Sequence, residues 1–146
     1  MKLVYDEDTV NITDGETNVV RIMEEITEVG ELEEPFYIFD IGDIVKKHKM
    51  WIEKMPRVIP HYAVKCNDNE IVLATLAALG TGFDCASKGE VNKILALGVN
   101  PERIIFANPT KPNSHIRHAA AANVTTMTFD CDIELQKIKL YCPQAK

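Results

Sequence analysis

From Pro35 to the end of the chain, short runs of β-branched and aromatic residues alternate with stretches in which apolar residues recur at helical spacing. The β-rich runs start near Phe36, Val58, Gly82, Arg103 and Thr125. Successive starts lie 22, 24, 21 and 22 residues apart, and a helical pattern fills each gap. Strands joined through helices pair in parallel, so the pattern predicts an α/β fold built on a parallel sheet.

Glycine and proline mark the ends of these predicted helices. Gly80 and Gly98 follow the second and third helical stretches, where a glycine commonly ends a helix. Pro112 opens the fourth at a position that tolerates proline. The last helix is expected from about Asp132 to Tyr141. The chain therefore contains about five βα units.

Two architectures are compatible with five βα units: a doubly wound sheet and a (β/α)₈ barrel. Periodicity does not distinguish them, because both alternate strands and helices in the same way. A barrel normally takes about 250 residues. If the fold is a barrel, these 146 residues form part of it.

The first 34 residues differ in composition from the rest. They carry 11 acidic and two basic residues, a net charge of −9, whereas residues 35–146 carry 11 acidic and 14 basic residues, a net charge of +3. Asp14-Gly15 marks a turn, and apolar residues at Val19, Ile22, Met23 and Ile26 predict an amphipathic helix. An acidic surface explains this composition without a binding tail. We expect a boundary between residues 1–34 and 35–146, with a linker at about Glu28–Pro35.

Overall composition excludes several classes of function. With 16 Lys+Arg and 22 Asp+Glu, the net charge of −6 argues against nucleic-acid binding, which needs a concentrated basic surface. No apolar run is long enough to cross a membrane, and the N-terminus lacks the pattern of a signal peptide, so a cytoplasmic location is expected. The four cysteines are widely spaced and lack CxxC pairs, which predicts reduced structural thiols and no metal site.

Lys65 is the first candidate for chemistry. It ends the predicted strand VIPHYAVK on the same face as the small Ala63, which would leave room for a flat cofactor. Carboxyl ends of parallel strands are where α/β folds bind ligands. A desolvated lysine there has a lowered pKa and becomes a Schiff-base nucleophile. A lysine that simply reaches solvent at a strand end fits the same spacing.

A second constellation follows in the run GTGFDCASKGEV. Asp84 ends the next strand, at the level predicted for Lys65, where a carboxylate would pair with the lysine or with a protonated ring nitrogen. Ser87 and Glu90 have the S-x-x-E spacing of a capping box at a helix N-terminus. For Glu90, capping and a role in the site are both open.

A third run, IIFANPTKP, ends a strand and opens a loop on the same face, but by itself it indicates only a turn. The chain contains neither G-x-G-x-x-G nor a P-loop, so nucleotide binding has no local support.

Together, YAVKCN, GTGFDCASKGEV and IIFANPTKP, in this order and spacing, resemble the eukaryotic ornithine decarboxylase branch of the fold-type III, PLP-dependent decarboxylases. The resemblance is close over residues 35–146 and looser before them. It implies an alanine-racemase-like (β/α)₈ barrel, with residues 1–34 belonging to a second, β-rich domain. Lys65 falls on the lysine that binds pyridoxal 5'-phosphate, and Asp84 and Glu90 fall on acidic residues near that lysine and the cofactor.

The resemblance also implies a reaction and partners. Members of this branch convert L-ornithine to putrescine as homodimers, and some bind antizyme through an element that falls here at about Asn113–Gln136. Arg117, with His115 and His118, would supply positive charge to such a partner, although a solvated helix face fits equally well.

Much of the site known in this family falls beyond Lys146, so these residues alone are expected to be inactive. The resemblance leaves one alternative of a different class, a non-catalytic regulator similar to antizyme inhibitor. Retention of Lys65 and Asp84 favours the enzyme.

Overall fold

The computed structural model describes residues 3–5, 8–10, 18–28 and 35–146, and the chain divides into two compact units, residues 1–39 and 40–146. In the first unit, β1 (Leu3–Tyr5) and β2 (Asp8–Val10) form an antiparallel pair, and α1 (Val19–Glu28) is the predicted amphipathic helix. The predicted turn at Asp14-Gly15 and residues 29–34 of the predicted linker lie outside the described residues. The assignment of residues 1–34 to a β-rich domain stays a prediction.

The second unit begins with a helix and continues with four β–α pairs. Its elements are α2 (Ile41–Lys54), β3 (His61–Ala63), α3 (Glu70–Ala78), β4 (Gly82–Cys85), α4 (Lys88–Ala96), β5 (Ile104–Phe106), α5 (Asn113–Ala121), β6 (Thr126–Met127) and α6 (Asp132–Tyr141). Short 3-10 turns lie at Val64–Cys66, directly after β3, and at Pro101–Arg103, directly before β5. The alternation predicted from apolar periodicity is confirmed.

The four strands form one parallel sheet in the order β3-β4-β5-β6. Each strand lies beside the one that precedes it in sequence, as in a (β/α)₈ barrel and unlike the reversed order at the centre of a doubly wound sheet. Lys146 N donates to Thr125 O at 2.8 Å and Lys146 O accepts from Met127 N at 3.3 Å, the hydrogen-bond pattern of a parallel neighbour of β6. The structure therefore supports part of a barrel.

One predicted strand is not formed, so the second unit holds four βα units rather than five. Residues 36–39 follow no strand pattern, and the rings of Tyr37 and Phe39 stack on each other with centroids 6.4 Å apart. Asp40 instead caps α2 by accepting a hydrogen bond from Asp43 N at 2.9 Å. A β-prone run becomes a strand only when a neighbour takes its backbone hydrogen bonds, and β3 pairs with β4 alone within the described sheet.

A residue with positive φ follows each of helices α3, α4 and α5, two positions after the helix ends. Gly80 has φ of 86° and Gly98 has φ of 75°, as predicted for glycines that follow a helix. Asn123, with φ of 59°, has the same position after α5, since asparagine tolerates this conformation better than most residues. Pro112 caps α5 rather than occupying its first helical position, a one-residue correction to the prediction.

The core of the second unit lies between the sheet and helices α3 to α6. Its largest fully buried apolar side chains are those of Phe83, Phe106, Leu73, Ile94, Ile104 and Ile116. The buried strand residues come mainly from β4 and β5, the two strands at the centre of the sheet. None of the helices in the described part of the chain is long and apolar enough to cross a membrane.

Phe83→Ala should lower the free energy of unfolding by about 3–5 kcal/mol, because the ring is fully buried at the centre of the sheet. Thermal or urea unfolding measures this loss. Tyr37→Ala is the matched control, since that ring is 86% exposed and its removal should change stability by less than about 0.5 kcal/mol. Equal losses in the two variants would contradict the core described above.

Candidate active site

Lys65 lies at the carboxyl edge of the sheet, in the 3-10 turn that follows β3. The strand ends at Ala63, two residues earlier than the prediction placed it. Val64 is fully buried and anchors the turn, whereas the Lys65 side chain is exposed. It forms no salt bridge with any residue that the structure describes. The amine is therefore accessible to a ligand at the edge where parallel α/β sheets bind one.

Tyr62 holds the loop that carries Lys65. Its hydroxyl donates to Asn67 O at 3.1 Å, and Asn67 Oδ1 accepts from Asn69 N at 3.0 Å. Asn69 in turn caps α3 by accepting from Ile71 N at 3.0 Å. Burial and the neighbouring Cys66 thiol raise the pKa of Tyr62, so the phenol stays a hydrogen-bond donor. Tyr62 is thus a structural residue.

Asp84 carries an unsatisfied oxygen. Its Oδ1 is buried and has no hydrogen-bond partner among the described residues. The register pairs Asp84 with Ala63, so Asp84 lies two residues below Lys65 rather than at its level as predicted. Residues paired in this way point to the same face of a parallel sheet. The Asp84 side chain therefore lies on the same face of the sheet as that of Ala63, and Lys65 follows Ala63 by two residues in the adjoining 3-10 turn.

This arrangement fits a cationic or N–H-bearing group. A buried carboxylate oxygen without a partner costs about 1–3 kcal/mol or more, and such groups usually gain a partner from a ligand or an ion. An ammonium or a protonated ring nitrogen would supply the missing donor to Asp84. The residues present therefore fit a flat, aldehyde-bearing cofactor with a ring nitrogen, and Lys65 would hold it.

Glu90 closes the N-terminus of α4. Ser87 Oγ accepts from Glu90 N at 3.2 Å, and Glu90 Oε2 accepts from Ala86 N at 2.6 Å. This is the capping arrangement that the sequence predicted, except that the carboxylate returns to Ala86 rather than to Ser87. A contact between Glu90 and a cofactor stays a prediction.

Asn108 joins two neighbouring loops at the same edge. Its Nδ2 donates to Ala86 O, in the loop after β4, at 3.2 Å, and its Oδ1 accepts from Thr110 N at 3.0 Å. The run that looked like a simple turn in the sequence therefore connects the loop after β5 to the loop after β4.

A buried charge cluster at this edge escaped the sequence reasoning. The Lys111 side chain is 0% exposed and that of Glu134 is 1% exposed, with Lys111 Nζ 2.9 Å from Glu134 Oε1. Lys137 Nζ lies 2.6 Å from Glu134 Oε2. Burial would raise the pKa of Glu134, but hydrogen bonds from Lys137 and Lys111 outweigh it and hold that pKa below its ordinary value. Lys111 and Glu134 are 23 residues apart, and the sequence around each resembles a solvent-exposed segment. No local sequence pattern therefore predicts the pair.

The three residues of α5 that were predicted to supply positive charge do not form a single charged surface. Arg117 is exposed, with its guanidinium 5.0 Å from the centre of the Tyr141 ring. The side chain of His118 instead contacts Asn92 Oδ1 at 2.6 Å, and His115 stacks on Phe106 with centroids 6.5 Å apart. Burial, and then the nearby Lys88 and His115, lower the pKa of His118, which leaves it neutral at pH 7. Arg117 therefore presents a positive charge at the exposed face of α5.

Cys85 is a structural thiol. It is fully buried, and burial, followed by the charges of Glu90 and Asp84, raises its pKa to about 12. Cys142 is also buried, while Cys66 and Cys131 are exposed and all four are unpaired.

Comparison with known proteins assigns a family to this geometry. Residues 41–146 match the family described as "Pyridoxal-dependent decarboxylase, pyridoxal binding domain". The chain belongs to this family. The resemblance inferred from the three sequence runs is confirmed.

Relatives within the family carry different names. Ornithine decarboxylase of Mus pahari is 57% identical over 111 residues, covering 76% of this chain and 24% of that protein. Antizyme inhibitor 2 of Xenopus laevis is 48% identical over 128 residues, covering 86% of this chain and 28% of that protein. The crystal structure of arginine decarboxylase from Paramecium bursaria Chlorella virus superposes with a TM-score of 0.82 at 36% identity, covering 86% of this chain and 34% of that one. The chain thus spans about a quarter of the length of the ornithine decarboxylases of Mus pahari, Rattus norvegicus and Mus musculus.

Asp84→Ala should weaken pyridoxal 5'-phosphate binding about tenfold or more while leaving the fold intact. A hydrogen bond to a charged group is worth about 1.5–3 kcal/mol, and the Oδ1 atom has no hydrogen-bond partner among the described residues that the substitution would remove. Cofactor titration and thermal melts of the complete protein separate the two effects, with Asp84→Asn as a variant of the same shape without the charge. Loss of folding in Asp84→Ala with unchanged affinity in Asp84→Asn would refute this role.

Proposed function

We propose that this chain forms the lysine-bearing part of the cofactor site of an ornithine decarboxylase that converts L-ornithine to putrescine with pyridoxal 5'-phosphate. The observation that supports this most directly is an exposed Lys65 at the carboxyl edge of the sheet, above an unpartnered buried oxygen of Asp84. Family membership supports the same cofactor.

Each group would have a separate task in this reaction. Pyridoxal 5'-phosphate, when bound, accepts the electron pair that departing CO₂ leaves on the α-carbon of the substrate. Lys65 would hold the cofactor through its amine. The unpartnered oxygen of Asp84 would accept from that amine or from a protonated nitrogen of the ligand. The cap formed by Ser87 and Glu90 keeps the loop after β4 in place at this edge of the sheet.

The choice of L-ornithine rests on similarity. The relative from Mus pahari, 57% identical, is named ornithine decarboxylase, whereas the arginine decarboxylase structure is 36% identical. We propose that the complete protein acts as a homodimer in the cytoplasm and that residues 1–146 alone do not decarboxylate ornithine. An isolated parallel sheet with an open edge at β3 exposes unpaired backbone groups, which favours aggregation.

Lys65→Ala in the complete protein should abolish cofactor retention and lower decarboxylation by about 10²–10⁴-fold, the usual effect of losing a positioned catalytic side chain. Lys65→Arg should be no better, because a guanidinium stays protonated and cannot form a Schiff base. Release of ¹⁴CO₂ from labelled ornithine measures the effect. Lys93→Ala, which removes an exposed lysine paired with Asp68, is the control and should retain activity. Unchanged turnover in either Lys65 variant would overturn the proposal.

A regulatory function is the second candidate, because antizyme inhibitor 2 of Xenopus laevis is 48% identical to this chain. Such a protein would bind antizyme without decarboxylating ornithine. The presence of both Lys65 and Asp84 favours the enzyme, and the Lys65 experiment separates the two functions.

Either function is compatible with binding of antizyme. We propose that residues 113–136 form the binding element and that Arg117 is its exposed positive group. Arg117→Glu should slow association with antizyme, and more strongly at low salt, since exposed charges act mainly on the association rate. Stopped-flow or surface-binding kinetics across a salt series measure this. Lys49→Glu makes the same charge change on α2 and should have a smaller effect. Identical kinetics in the Arg117 variant and the wild type would show that Arg117 does not contribute to antizyme binding.

A further inference from the structure

We propose that Lys111 is a positioning residue of the cofactor site: its buried ammonium fixes the loops at the carboxyl ends of β5 and β6 and, through Asn108, the loop after β4. The proposal rests on the function proposed above, because it assigns a role toward the same site.

The ammonium of Lys111 uses all its donors inside the protein. Its Nζ donates to Asn108 O at 2.9 Å and to Thr128 O at 2.6 Å, and it lies 2.9 Å from Glu134 Oε1. Lysine carries three N–H donors, so each has one acceptor. Asn108 follows β5 and Thr128 follows β6. One buried side chain therefore holds two strand ends and the first turn of α6 together.

The connection continues from Asn108 to the loop that follows Asp84. Asn108 Nδ2 donates to Ala86 O at 3.2 Å, and Ala86 N donates to Glu90 Oε2 at 2.6 Å. Ala86 is two residues from Asp84, whose Oδ1 has no partner among the described residues. Lys111 thus reaches the site only through Asn108, which makes it a positioning residue rather than a catalytic one.

Stability alone does not account for this cluster. Replacing a buried ion pair by uncharged side chains of similar shape is often neutral or stabilising, because burying two charges is expensive. Glu134 would also keep Lys137 as a partner if Lys111 were removed. An apolar side chain of similar size, such as methionine, donates to neither Asn108 O nor Thr128 O. An apolar replacement for Lys111 therefore loses the hydrogen bonds to these two carbonyl oxygens.

The test compares Lys111→Met, Lys111→Met/Glu134→Gln and the control Lys137→Met in the complete protein. Lys137→Met removes an ammonium from the same carboxylate but leaves both strand-end carbonyls bonded to Lys111. Because Lys137 Nζ also donates to Lys111 O at 2.7 Å, exchange in this control is compared over residues 84–90. Amide hydrogen exchange of peptides covering residues 84–90 and 107–112 reports on the loops without cofactor, and titration with pyridoxal 5'-phosphate reports on the site. Thermal melts identify variants that are merely unstable.

We expect exchange in both loops to rise at least tenfold in Lys111→Met and in the double variant, with exchange in α3 unchanged. Cofactor affinity should fall at least tenfold in both, even where the double variant melts like the wild type. In Lys137→Met both quantities should stay within twofold of the wild type.

Three outcomes would overturn the proposal: loop exchange in Lys111→Met equal to that in Lys137→Met, recovery of both exchange and affinity in the double variant, or failure of both Lys111 variants to fold. Because exchange is measured without cofactor, it decides the role of Lys111 even if the wild type fails to bind pyridoxal 5'-phosphate. That last result would refute the proposed function separately.

Discussion

Parallel pairing between consecutive strands is the constraint on which the candidate site depends. Because β3, β4, β5 and β6 pair in sequence order, the loops after all four strands open at one edge of the sheet. Lys65, Asp84 and Asn108 are far apart in sequence and meet at this edge for that reason alone. The buried residues of the strands, such as Phe83 and Phe106, keep the register that sets these positions. The chemistry of the site is therefore a consequence of how the core is packed.

A small number of side-chain hydrogen bonds hold the loops at this edge in place. Tyr62 holds the loop after β3, Glu90 holds the loop after β4, and Lys111 holds the loops after β5 and β6. Within the part of the chain that the structure describes, this edge leaves the amine of Lys65 exposed and Oδ1 of Asp84 without a hydrogen-bond partner. A rigid scaffold with a few unsatisfied polar groups is what a preorganised ligand site requires.

Local signals predicted most of the fold. Helical periodicity located α2 to α6, and Gly80 and Gly98 marked two helix ends because positive φ is a local requirement. The strand predicted near Phe36 failed because a strand needs a partner, which lies outside any local window. The Lys111–Glu134 pair was missed for the same reason, since a buried salt bridge across 23 residues leaves no periodic trace. Capping by Glu90 was predicted from S-x-x-E spacing, whereas the unsatisfied state of Asp84 required the packed structure.

The proposed function requires Lys65 to be the amine that binds pyridoxal 5'-phosphate. Borohydride reduction of the complete protein in the presence of the cofactor, followed by peptide mapping by mass spectrometry, tests it most directly, because reduction makes a Schiff base permanent at the residue that formed it. We expect one pyridoxyl-modified peptide, with the modification on Lys65. Modification of a different lysine, or cofactor binding without a reducible adduct, would contradict it.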